Sequence, residues 1–108
     1  MNVLFVINAA FNTGQIVATR GVYDLASENP EFAQFIQKSL NRHVKGDWGD
    51  VDDEDDEDKQ TNEQALKQDT RLLSAYNDNR FPQNGVATIW IITEGDRSAT
   101  TILFPDEY

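Results

Sequence analysis

Val86-Ala87-Thr88-Ile89-Trp90-Ile91-Ile92-Thr93-Glu94-Gly95-Asp96-Arg97-Ser98-Ala99-Thr100-Thr101-Ile102-Leu103-Phe104 closes the chain, apart from a short tail. Its first part is a long run of β-branched and aromatic residues, the composition of a strand. Gly95-Asp96-Arg97-Ser98 is too short to be anything but a tight connection. A second strand, residues 99–104, follows at once, so the pair must be antiparallel, because parallel partners need a long crossover. Upstream, residues 71–77 alternate between apolar and polar, and the loop Asn79-Arg80-Phe81-Pro82-Gln83-Asn84-Gly85 joins them to the run. The spacing predicts an antiparallel meander.

Further upstream the period changes. Asn29-Pro30-Glu31 is a helix start: Asn suits the N-cap, Pro suits the first turn because its missing N–H has no partner there, and Glu complements the dipole. Phe32, Phe35, Ile36, Ser39, Leu40, His43 and Val44 then recur at helical spacing, forming one buried stripe. Arg42 and Lys45 fall in the last turn, and Gly46 can take the left-handed conformation that stops a helix. Thr19 is expected to cap a shorter helix through Val22, Tyr23, Leu25 and Ala26. Residues 3–7 and 15–19 read as strands, and Asn12-Thr13-Gly14 between them is turn chemistry that suits a hairpin. Thr61-Asn62-Glu63-Gln64 matches a capping box before a short, weakly anchored helix. The expectation is one α+β domain spanning 1–108, with an antiparallel sheet (C-terminal meander plus N-terminal strand or hairpin) packed against two or three helices.

Charge is unevenly placed. Of the nine residues Asp50-Val51-Asp52-Asp53-Glu54-Asp55-Asp56-Glu57-Asp58, eight are acidic, and they supply eight of the ten net negative charges. Such a run buries nothing and belongs in water. Its alternating carboxylates invite a calcium reading, but the glycine required at the sixth position of an EF-hand loop is missing. Clustered carboxylates can instead imitate phosphates and occupy a basic groove. Net acidity argues against nucleic acid as a direct ligand. No apolar stretch approaches the roughly 20 residues a bilayer span needs. With no cysteine, disulfides and thiol chemistry are excluded, which fits a reducing cytoplasm.

Candidate chemistry gathers in two places. His43 is the only histidine, so a multi-histidine metal site is excluded, and Asp47 can orient it as a general base. Against that, a lone histidine ending an apolar stripe is commonly a core residue, and no nucleophile accompanies it. With Tyr76, Glu94, Asp96 and Arg97 it would form a small polar site only if the six converge on one open pocket. Otherwise Glu94, Asp96 and Arg97 make a salt-bridged turn. Trp48, between glycines, is either a core anchor or an exposed hot spot for a partner, with Arg42 beside it. The sequence holds no phosphate loop, dinucleotide fingerprint, nucleophile elbow or zinc spacing, and therefore names no cofactor or metal.

Arg42-His43-x-x-Gly46-Asp47-Trp48-Gly49-Asp50, Asn62-Glu63-x-Ala65-Leu66, Arg71-Leu72-Leu73-Ser74-Ala75-Tyr76, Trp90-Ile91-Ile92-Thr93-Glu94-x-Asp96-Arg97-Ser98 and Thr100-Thr101-x-Leu103 together resemble one family. It comprises small bacterial proteins carried on plasmids and integrated mobile elements, usually called plasmid-related and sometimes labelled type I restriction subunit M. No methyltransferase cofactor motif fits in 108 residues. The resemblance covers residues 14–108. Departures are Arg20 in place of a usual proline, Gly95 in place of alanine, and a longer acidic segment. It implies carriage by a mobile element and a bacterial cytoplasm, but no reaction. The expected function is an acidic, non-enzymatic binding protein that inhibits or modulates a nucleic-acid-handling complex, of the anti-CRISPR or antirestriction kind. Its partner would be a basic protein surface, met by Arg42, Trp48, Asp50, Asp52, Asp53, Glu54, Asp55, Asp56, Glu57 and Asp58. The competing expectation is a small enzyme or ligand-binding protein centred on His43, Asp47 and Glu94.

Overall fold

The computed structural model describes residues 9–49, 70–78, 80–81 and 88–108. The strand expected at 3–7, the helix entered at Thr61 and the acidic residues 50–58 lie outside them. The described elements are β1 (Gln15–Ala18), α1 (Arg20–Glu28), α2 (Pro30–Val44), β2 (Leu72–Asn77), β3 (Thr88–Thr93) and β4 (Ala99–Leu103), closed by a 3-10 turn at Pro105–Glu107. The architecture is α+β, a four-stranded sheet in the order β1-β4-β3-β2.

β2, β3 and β4 form the antiparallel meander that their spacing predicts, with Ser74 opposite Ile91 and Thr93 opposite Thr100. β1 adds a different relation: it runs parallel to β4, Ile16 beside Thr100 and Ala18 beside Ile102. The chain leaves β1 into two helices before it returns through β2, so β1 is free to take β4's open edge in the parallel sense. Gln15 N–H donates to the Ser98 carbonyl at 3.0 Å, and Thr19 N–H to that of Ile102 at 3.0 Å. Gly14 has φ +63°, and a Cβ there would lie 2.3 Å from the Ser98 carbonyl carbon, so only glycine fits.

The start of α2 behaves as its sequence dictates. Asn29 Oδ1 accepts from the amides of Glu31 at 3.0 Å and Phe32 at 3.2 Å. The helix ends at Val44 with Lys45 as its C-cap, and Gly46 just beyond has φ +83° and an N–H that reaches the His43 carbonyl at 3.1 Å. Thr19 stands at the N-cap position of α1 but caps nothing with its side chain. Its hydroxyl donates to Glu107 Oε1 at 2.6 Å, and the same oxygen accepts the Phe104 amide at 2.9 Å. The 3-10 turn is thereby tied to the opening of α1.

One sheet face is covered by the helices. Alternation puts Leu72, Ser74 and Tyr76, then Ile89, Ile91 and Thr93, then Thr100 and Ile102 on that inner face, all buried. Under most of α2 the contact is apolar: Phe32, Ile36, Leu40 and Val44 pack with Ile89, Ile91, Ile102 and Phe104. Each such side chain contributes about 1.5–3 kcal/mol on burial. Three inner-face positions break the apolar pattern, namely Ser74, Thr93 and Thr100. They face the end of α2.

Candidate functional site

The last turn of α2 continues the buried stripe beyond Leu40 and delivers His43 into the sheet face. The ring is 0% exposed. Its Nδ1 lies 2.6 Å from Ser74 Oγ and its Nε2 2.8 Å from Thr93 Oγ1. Thr93 Oγ1 is in turn 2.8 Å from Thr100 Oγ1. The Thr100 hydroxyl donates to the Thr13 carbonyl at 2.7 Å.

Proton counting along this chain fixes every direction once the ring is neutral, the state that its burial favours. The Thr13 carbonyl can only accept, so it takes the single hydroxyl proton of Thr100. Thr93 must then donate to Thr100. With its proton so used, Thr93 must accept from His43, which places the ring hydrogen on Nε2. Nδ1 is left as an acceptor, and the Ser74 hydroxyl donates to it. The result is a neutral Nε2–H imidazole in a polarised line running from β2 through α2, β3 and β4 to the segment before β1.

Electrostatics agree with the count. Burial in the first place, and the positive charge of Arg97 in the second, lower the His43 pKa from 6.5 to about 3. Phe11 stands edge-on to the ring at 5.5 Å, and Trp48 does so at 5.7 Å. No buried side-chain polar atom among the described residues lacks a hydrogen-bond partner.

The other members of the expected polar site are placed as follows. Asp47 directs its carboxylate to Arg42, 2.8 Å from Nε and 3.2 Å from Nη2, and also accepts the Gly49 amide. Its orienting role toward His43 is thus replaced by a pairing with arginine. Tyr76, fully buried, donates its hydroxyl to the Asp47 carbonyl at 2.6 Å, and Arg42 covers its ring at 4.9 Å. Glu94 and Asp96 belong to the β3–β4 turn. The Glu94 carbonyl accepts from the Arg97 amide at 2.9 Å and from Arg97 Nη1 at 3.1 Å. Asp96 Oδ1 accepts the Ser98 amide at 2.9 Å, and the Ser98 hydrogen bonds hold that carboxyl below the usual range. Arg97, at φ +61°, also donates to the Thr70 carbonyl at 2.7 Å. The six residues therefore form three groups: His43 in the core, Asp47 with Tyr76 at the end of α2, and Glu94, Asp96 and Arg97 on the turn.

Of the residues expected to meet a partner, Trp48 is only 4% exposed. It stacks on Phe11 at 6.3 Å and packs with Leu72, so the exposed hot spot gives way to the core anchor. Its loop is fastened by a bridge from Gly49 to Ala75. Gly49 has φ +95°, and a Cβ there would lie 1.9 Å from the Ala75 oxygen. Arg42 remains partly exposed beside Asp47. Asp50, Asp52, Asp53, Glu54, Asp55, Asp56, Glu57 and Asp58 lie outside the described residues.

Among the described residues no group of three or more His, Asp or Glu stands close enough to hold a metal ion. No helix among them is long and apolar enough to cross a membrane. A groove of about 420 Å³ lies between α2 and the residues after β2, lined by Phe35, Lys38, Asn41, Asp78 and Arg80 among others. A second of about 260 Å³ lies on the outer sheet face near Arg71, Ile92, Leu103 and Tyr108. Of the six expected polar-site residues, only Glu94 borders either groove.

Sequence reasoning missed the hydroxyls of Ser74, Thr93 and Thr100 and the role of Phe11. The signal was available in part: a serine and two threonines fall on inward parity in three strands that otherwise present apolar residues there. No protein-family model matches the chain, and no curated protein or solved structure matches it.

Proposed function

We propose that this chain is an acidic, non-catalytic binding protein that engages the basic surface of a nucleic-acid-handling complex. The observation that carries this reading is the concentration of charge: eight acidic residues in the nine from Asp50 to Asp58, in a chain of net charge −10. Such a segment attracts clustered Lys and Arg, and it repels phosphate, so it competes with nucleic acid for a site rather than joining it there. The finer form of the proposal is an inhibitor of defence machinery, of the anti-CRISPR or antirestriction type, made in a bacterial cytoplasm by a mobile element. That form rests on the resemblance of the tryptophan-centred segments.

The placement of His43 supports a binding role over catalysis. A general base must come within hydrogen-bond reach of its proton. Here both ring nitrogens are bonded to internal hydroxyls. The enzyme alternative thus has no accessible imidazole to build on.

The test is affinity capture from a bacterial lysate at low and high salt, with the retained proteins identified. A parallel capture uses a variant in which the seven residues 52–58 become Asn or Gln. The proposal expects basic, nucleic-acid-handling proteins that are lost at high salt and lost with the variant, since exposed charges are screened over about 10 Å at roughly 0.1 M salt. Equal retention by the neutralised chain at low salt contradicts it.

A further inference from the structure

The cover over His43 is uneven. From one side the ring is closed by Trp48, whose carbonyl accepts the Ala75 amide at 3.4 Å and whose loop is pinned by Gly49 against β2. The residues just before it are pinned too, through the Arg42–Asp47 pair and the Tyr76 hydroxyl. From another side the ring is closed by Phe11, in residues 9–13, which are neither helix nor strand. These residues are held by Ala10 N–H to the Val44 carbonyl at 2.7 Å, by the Thr100 hydroxyl on the Thr13 carbonyl, and by the ring contacts of Phe11. They end at Gly14, fixed against Ser98.

We propose that residues 9–13 are a strap that proton uptake by His43 releases, baring the imidazole together with Trp48 and Leu72. A second proton on the ring must go to Nδ1, where Ser74 now donates, so the polarised line has to be reversed at that point. Among the described residues, the groups facing the ring offer the new cation no carboxylate. β2 presents the Ser74 hydroxyl and the Tyr76 phenol, and β3 and β4 present Thr93 and Thr100. The β3–β4 turn brings Arg97, which also lies over Phe11 at 5.7 Å and opposes protonation. Glu94 on that turn is exposed and holds Arg97 through its carbonyl. At the end of α2, Asp47 is bonded to Arg42. Among the described groups water is therefore the best available partner for the charge, and the strap, held there through Ala10, Phe11 and Thr13, is the cover that yields.

The size of the effect follows from linkage. A ring in contact with water has its ordinary value of 6.5, whereas the closed ring stays neutral far below it. The opening constant then grows about 30-fold between pH 8 and pH 5, the window set by the ordinary histidine value.

Native-state hydrogen exchange tests this on the whole chain, with rates corrected for the intrinsic pH dependence of exchange. The Ala10 amide reports the strap, and the Ile91 amide, in the middle of the sheet, reports global unfolding. The expected result is that Ala10 opens more readily than Ile91 at every pH, and about 30-fold more at pH 5 than at pH 8 by the same linkage. In His43→Gln the pH dependence at Ala10 is expected to disappear. The proposal is overturned if Ala10 opening is independent of pH, if Ala10 exchanges only together with Ile91, or if His43→Gln keeps the wild-type dependence. Should that variant fail to fold, the wild-type comparison of Ala10 with Ile91 decides alone.

Discussion

The two ends of α2 bury their inward faces by different chemistry. Phe32, Ile36 and Leu40 meet isoleucines and Phe104, where attraction is non-directional and any well-shaped apolar neighbour serves. One turn further on, His43 meets two hydroxyls, and through Thr93 a third hydroxyl and a carbonyl, in a line where each proton of the neutral state has one permitted position. The first end supplies stability whatever the pH. The second fixes how α2, three strands and the N-terminal segment sit together, and it holds only while the ring is neutral. A buried polar line is an acceptable core element when every member is satisfied, and a costly one when any member is lost.

The largest effect that separates the two ends is a cavity at the apolar one. Phe32→Ala should cost about 3–5 kcal/mol, and urea unfolding should give the same loss at pH 8 and pH 5. A loss that changed with pH would mean that the apolar end is electrostatically coupled to the polar one.

The polar end should answer to pH instead. The folded value for His43 is depressed, from 6.5 to about 3, so its contribution is complete above pH 6.5 and declines as the pH falls toward 3. Between pH 8 and pH 5 the unfolded chain gains a proton that the folded chain refuses, and about 2 kcal/mol of stability is lost. His43→Gln should remove that slope and Phe32→Ala should retain it.

Breaking the line from the strand side should give a smaller loss. Thr93→Val leaves the Nε2–H donor without its acceptor and Thr100 without its donor, at a cost of about 1–3 kcal/mol. A neutral result by thermal or urea unfolding would mean that the hydroxyl line does not hold the ring.

The sequence was legible where the determining contacts are local. Asn29-Pro30-Glu31 announces a helix start because cap and amides are two and three residues apart, and the α2 stripe follows from its period. β3 and β4 are readable because the connection Gly95-Asp96-Arg97-Ser98 is so short. Thr19 marks the start of α1 as its sequence suggests, but its hydroxyl is claimed by Glu107, 88 residues away, instead of capping the helix. The parallel pairing of β1 with β4 has no local signature either, since α1, α2, β2 and β3 all lie between them in the chain. At the polar end, His43 could be found from the stripe, but its partners come from three strands, and only their shared inward parity connects them. Trp48 was readable as either anchor or hot spot until Phe11 and Leu72 were seen against it.

A mutation at the helix start completes the comparison with the smallest effect. Asn29→Ala should cost about 1 kcal/mol through two lost amide contacts, measured by urea unfolding and independent of pH. Any pH dependence there would tie the cap to the distant histidine.

In the closed fold the chain's one imidazole is buried, with both ring nitrogens bonded to internal hydroxyls. Nitrogen-15 NMR of His43 across pH 8 to pH 5 tests this most directly. The native state is expected to keep an unprotonated Nδ1 and a hydrogen on Nε2 throughout, with no titration of the closed form. A native ring that titrates near 6.5, or carries its hydrogen on Nδ1, would contradict it and return His43 to the candidates for acid–base chemistry.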